Sequence, residues 1–163
     1  MQFTLIDKIT QVEPGRQIVA VKTLALAEEY LSDHFPLFPV MPGVLMLESI
    51  TQTGAWLLRI TDDFAHSIVV LKEARNVKYL DFVQPGSVLT VTVTLGKRVG
   101  NAVHMSAAGM VDGRLAVTAR LVLESYNLAG VTADGDIRDK MVTMKLREQL
   151  LLLHRPLASG LGT

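Results

Sequence analysis

The 163-residue chain contains no cysteine. That excludes disulfides and thiolate chemistry. It carries no excess of either charge, since 16 basic residues balance 16 acidic ones. The electrostatic footprint of a nucleic-acid partner is therefore missing. No apolar run approaches the roughly 18 residues needed to span a bilayer. The N-terminal MQFTLIDKITQ lacks the basic leader and apolar core of a signal peptide. The expectation is a cytoplasmic protein with no membrane and no nucleic-acid partner. Metal-ligand spacing of His, Asp and Glu is absent, as are G-x-S-x-G and a glycine-rich phosphate loop. No metal and no cofactor are assigned.

What the chain does have is a patterned middle. A length of 163 residues fits one domain with an appendage and is enough to bury a core unaided. Strands are expected at Phe3 to Val12 and at 16–24, on either side of an EPG turn, with a brief helical turn at Ala25 to Tyr30. Segments 66–80, 87–98, 102–111 and 114–126 are rich in Val, Thr and Leu. QPG, GKRVGN and DG separate them, so an antiparallel sheet is expected. Between the two groups, VLMLESITQTGAWLLRI predicts a helix from about Gly43 to near Ile60. It is apolar on nearly every face and should be buried on all of them. Pro36, Pro39 and Pro42 make the stretch before it a rigid, non-helical loop. A second helix is expected over 137–154, with Asp136 as N-cap, Asp139 in its first turn and Pro156 as its stop. Its apolar stripe of Ile137, Met141, Met144 and Leu151 should dock on the body or on a neighbouring subunit. The final LASGLGT should fray.

The chemistry concentrates in HFPLFPVMPGVLMLESITQ, His34 to Gln52. Glu48 is the one acid in that apolar stretch. Burying it ionised is costly, so it is expected to hold a proton or to have a specific partner. Beside a neutral imidazole, such an acid can move protons on and off a carbon skeleton.

This segment resembles the signature of the 3-hydroxyacyl-[acyl-carrier-protein] dehydratases of the FabZ and FabA type. FTLIDKI, NVKYLDFVQPGSVL and VDGRLAVTARLVL extend the likeness over roughly residues 3–126. The resemblance implies an α+β hotdog fold, an antiparallel sheet wrapped around a long central helix. Residues 1–127 would form that domain and 128–163 a largely helical extension. It also implies dehydration of 3-hydroxyacyl groups on acyl carrier protein, by a homodimer or a trimer of dimers whose sites lie between subunits. His34 would be the base and Glu48 the acid or the group orienting the water that leaves, supplied by opposite subunits. The free amides of Gly43 and Val44 at the helix start would stabilise the thioester oxygen. Gln52, one turn beyond Glu48, would support it. Phe35, Phe38, Met41, Trp56, Tyr79 and Phe82 would line an acyl tunnel. Lys72, Arg75, Lys78, Lys97 and Arg98 would offer an acidic carrier a basic rim.

Each residue also has a plainer reading. His34 can merely bond its loop, Glu48 can cap a neighbour or pair with an arginine, and Gly43 can simply start the helix. The aromatics can be core. Glu at position 48 resembles the FabZ branch, where an Asp would resemble FabA. Leu37 replaces the glycine common after HFP, which is expected to narrow the site or to shift the local backbone, and Ser87 replaces an Asp after the PG turn. The rival functions are a dehydratase of a secondary polyketide or polyene pathway, a non-catalytic acyl-binding subunit and a thioester hydrolase.

Overall fold

The computed structural model describes residues 3–155. Pro156 and LASGLGT lie outside the described residues. Six strands form one sheet: β1 (Lys8–Glu13), β2 (Gln17–Thr23), β3 (Ile68–Tyr79), β4 (Val88–Val99), β5 (Ala102–Val111) and β6 (Arg114–Tyr126). Their spatial order is β1-β2-β4-β5-β6-β3, and every neighbouring pair is antiparallel. The alternation in VLTVTVTL sets which side is core: Leu89, Val91 and Val93 are buried while the intervening threonines face the other way. Asp112 and Gly113 close the β5–β6 hairpin with φ of 50° and 75°. That left-handed pair is the turn whose twist matches the strands.

The helix α1 (Gly43–Thr61) lies in the curl of the sheet and packs against β2, β4, β5, β6 and β3. This is the hotdog arrangement. Ile50, Leu57, Leu58 and Trp56 are buried in it. At Gly54 the helix comes so near the sheet that a Cβ would sit 3.1 Å from Met105 Sδ. Buried hydroxyls on α1 bond back along the helix, Ser49 to the Leu45 carbonyl at 3.0 Å and Thr53 to that of Ser49 at 2.7 Å. The expected all-round burial holds only for the second half. Val44 is 68% exposed, and Leu45, Leu47, Glu48 and Gln52 are half-buried. The sheet embraces one side of α1, so its first turns remain open. The first strand also begins later than expected, at Lys8, because Phe3 and Leu5 bond Gln52 on α1.

The C-terminal helix α2 (Gly135–Leu153) packs against the body near β1. His154 Nδ1 lies 3.2 Å from the Ile9 carbonyl at that sheet edge. Asp136 is not the N-cap. The cap position is Asp134, whose side chain makes no capping bond. Gly135 packs so tightly on Leu128 that a Cβ would lie 2.1 Å from its carbonyl oxygen, which brings the helix start forward. Nor does the expected stripe dock on the body. Ile137, Met141, Met144 and Leu151 face away, while Leu146, Leu150 and Leu153 on the other side meet the core.

Asp139 fixes the start of α2. Its carboxylate accepts hydrogen bonds from the Ser67 hydroxyl and from the amides of Leu128 and Ala129, the latter two at 2.9 Å. Desolvation opposes its charge, but these donors outweigh it and hold the carboxyl below its ordinary value of 3.8. A depressed folded pKa contributes stability that is full above the ordinary value and lost as pH falls through the folded one. Amide protection across 128–153, corrected for intrinsic exchange, should therefore fall at acidic pH below that range. Asp139→Ala should show the same loss of protection at neutral pH. Equal exchange in wild type and variant would refute this anchoring.

Candidate active site

The loop before α1 is pinned at both ends and free at its tip. The Val40 amide donates to the His34 carbonyl at 3.2 Å, and the Met41 amide donates to the Val83 carbonyl at 2.8 Å. Val40, Met41 and Val83 are buried, so the anchors are apolar as well as hydrogen-bonded. Upstream, the buried Lys22 ammonium meets Glu28 at 2.6 Å and the Thr23 carbonyl at 2.7 Å, which holds the chain entering this loop. His34 is half-buried and stacks on Phe35, ring centroids 4.5 Å apart. The His34–Phe35 peptide is cis.

His34, Phe35, Gly43 and Tyr79 come together. With Val40, Met41, Met46, Leu80, Asp81 and Phe82 they line a mainly apolar cleft of about 290 Å³ at the start of α1. The Leu45 and Met46 amides both turn to the Pro42 carbonyl. The Gly43 and Val44 amides precede any intrahelical acceptor, as the first amides of a helix do. Tyr79 lies against Gly43: a Cβ there would be 3.0 Å from Tyr79 Cε1. Glycine is thus needed for the ring and the helix end to meet.

Glu48, Gln52, Phe38 and Val44 are not among the lining residues. Phe38 packs edge-on to Phe82 at 5.5 Å. Trp56 belongs to the core, under the Arg59 guanidinium at 5.2 Å. Burial pulls the Arg59 pKa down to about 10. Leu37 is 100% exposed at the loop tip and does not narrow the cleft. Of the expected basic rim, Lys72 pairs with Glu124, Arg75 with Glu73 and Arg98 with Asp62. Lys78, beside Tyr79, is the exposed cation of that set nearest the cleft in the chain. Sequence reasoning missed Val40, Met46, Leu80 and Asp81. Asp81 is held by Arg114 at 2.9 Å. The signal was the YLDF segment directly after β3.

Glu48 has its partner in Gln52, whose Nε2 donates to Glu48 Oε1 at 3.0 Å. The same amide donates to the Phe3 carbonyl at 3.0 Å, and its oxygen accepts from the Leu5 amide at 2.8 Å. Gln52 therefore ties the incoming chain to α1 and fixes Glu48 one helical turn away.

A family model described as a FabA-like domain matches residues 1–120. The chain belongs to the FabA-like family. A 3-hydroxyacyl-[acyl-carrier-protein] dehydratase FabZ of Clostridium botulinum is 37% identical over 120 residues, covering 74% of this chain and 83% of the relative. FabZ of Oenococcus oeni is 37% identical over 118 residues, covering 72% and 85%. The dehydratase heterocomplex ApeI:P from Xenorhabdus doucetiae shares the fold at TM-score 0.62, 20% identity, 77% of this chain and 85% of that one. A hypothetical thioesterase with coenzyme A from Streptococcus pneumoniae does so at 0.54 and 13%, over 72% and 84%. Within this FabA-like chain, α2 lies beyond the matched residues.

Gln52→Leu should strand the buried Leu5 amide and cost about 1–3 kcal/mol. Chemical denaturation measures it. Unchanged stability would show that the Gln52 bonds do not hold the N-terminal segment.

Proposed function

We propose that this protein dehydrates (3R)-3-hydroxyacyl groups on acyl carrier protein to trans-2-enoyl groups in fatty acid biosynthesis. The observation that carries this reading is the set of His34, Gly43 and Tyr79 around one apolar cleft at a helix start, in a FabA-like chain with FabZ relatives. His34 takes the C2 proton, since a neutral imidazole accepts protons near neutral pH. The electron pair moves onto the thioester oxygen, where the Gly43 amide, with Val44 and the helix dipole, stabilises the charge. Its return forms the C2–C3 double bond and breaks the C3–O bond. Glu48 gives its proton to the departing hydroxyl, so water leaves. Phe35 and Tyr79 hold the acyl chain, Phe38 acts only through its edge-on contact with Phe82, and Gln52 positions Glu48. No metal or cofactor takes part.

A homodimer completes the site in this reading. Glu48 lies off the cleft in its own chain, and β3 has a free edge. Around that edge Leu80, Phe82, Phe35 and Val44 are exposed apolar groups that call for cover. Three such dimers can assemble further. In this reading the protein works in the cytoplasm. No helix among the described residues is long and apolar enough to cross a membrane.

His34→Ala and Glu48→Gln should each lower turnover by at least ~100-fold, the scale for removing a positioned acid or base. Both should remain folded. Mixing the two inactive variants should restore part of the activity, because some mixed dimers regain one intact pair. Near-wild-type turnover in either variant would reject the roles. No recovery despite proven subunit exchange would reject the shared site. Inactive wild type that still binds acyl chains would favour a non-catalytic subunit.

Residues 1–127 form the dehydratase domain in this reading, with 128–163 as an extension. Truncation after Leu128 should leave a folded dimer with measurable turnover and a lower melting temperature, since Leu153 and Asp139 no longer brace the body. A folded, dimeric, inactive truncation would place the extension in the active site instead.

A further inference from the structure

The apolar residues of α2 fall on two opposite faces. One face, with Val142, Leu146, Leu150 and Leu153, turns to the body. The other carries Ile137, Met141, Met144, Leu151 and Leu152, exposed by 62%, 51%, 56%, 72% and 64%. Along this face Ile137, Met141, Met144, Glu148 and Leu151 follow spacings of four, three, four and three residues. That is the seam of two helices packed along their length. A single helix with such a stripe is left with apolar surface in water.

We infer that α2 pairs with the α2 of a second copy of this chain, antiparallel about a two-fold axis at Met144. The charges select this occupant. Glu148 interrupts the apolar stripe and has no ion pair among the described residues. Insertion into a lipid surface would bury that carboxylate among acyl chains, which is costly. In the antiparallel pair, Ile137 meets Leu151 of the second copy and Met144 meets its counterpart. Glu148 then lies level with Lys140 and Met141 of the second copy, with Arg138 one turn-half away. Arg138 and Lys140 are exposed and likewise lack ion pairs among the described residues. The acid that is awkward in an isolated stripe thus becomes a charge pair at the rim of the seam. α2 lies outside the family-matched residues 1–120, so this contact is additional to any interface of the FabA-like body. It joins bodies into a larger assembly, where linked contacts reinforce one another.

The absence of cysteine makes the test direct, because an introduced thiol is the only one in the chain. In the full-length protein, Met144→Cys should form a covalent dimer under mild oxidation. Ile137→Cys alone should not, but mixed with Leu151→Cys it should. Met144→Glu places two carboxylates face to face at the axis and should lower the particle mass in light scattering to that of the next smaller assembly. Met144→Lys should do the same, and mixing the Glu and Lys variants should restore the larger mass. Unchanged mass in both variants together with no Met144→Cys cross-link would overturn the inference. So would Ile137→Cys linking to itself, which would mean a parallel pair. Binding of the monodisperse wild type to phosphatidylglycerol vesicles, abolished by Met144→Glu, would overturn it in favour of a lipid surface.

Discussion

Burying α1 in the curl of a single sheet demands a helix that is apolar wherever strands touch it. Ile50, Gly54, Leu57 and Leu58 meet that demand. Polar groups on α1 then either bond back along the helix, as Ser49 and Thr53 do, or lie on the side and the end that the sheet leaves open. Glu48 and Gln52 sit on the half-buried side, and the Gly43 amide sits at the end. Pro42 helps to set where that end falls, since residues before a proline resist the helical conformation. The polar equipment of the site is what an otherwise apolar helix has left once its packing is satisfied.

Gln52 joins this helix to the rest of the chain. Its side-chain amide is shared between two backbone groups from the N-terminal segment and one carboxylate oxygen. Folding of that segment and orientation of Glu48 are thereby one event. The cleft has a corresponding economy. Buried Val40, Met41 and Val83 hold the loop, so His34 projects from its anchored base while Leu37 stands at the free tip. Tyr79, from the end of the edge strand, closes the far wall against Gly43. Each wall therefore comes from a different part of the chain: the loop, the helix start and the strand end.

The C-terminal helix marks where one-dimensional pattern stops being informative. Its existence was legible from Ile137 to Leu153, and so was its apolar stripe. Which face docks was not legible, because two apolar faces share the same period. Leu146, Leu150 and Leu153 won the contact with the body. Asp139 is expected in the first turn, but the helix starts at Gly135, so it falls in the second turn and folds back to accept from the amides of residues 128 and 129. That arrangement also draws on Ser67, which is distant in sequence. The pairing within the expected basic rim was hidden for the same kind of reason. Lys72 and Arg98 found acidic partners that only pairing across strands and from helix to strand could supply, while Arg75 pairs with Glu73 two residues away.

The amino-acid sequence by itself determined the element types, the four long strands nearly to the residue, the proline-bounded start of α1, and the His34–Glu48 pattern that marks the family. These are local: alternation, turn chemistry and proline geometry act over a few neighbours. Tertiary structure alone decided that α1 is open along its first half and that Tyr79 lies on Gly43. It also decided that Leu80 and Asp81 join the cleft while Phe38 and Trp56 do not. Those outcomes depend on how far the sheet curls and where its edge strand ends. Both are fixed by contacts between residues far apart in the chain, and no local periodicity records them.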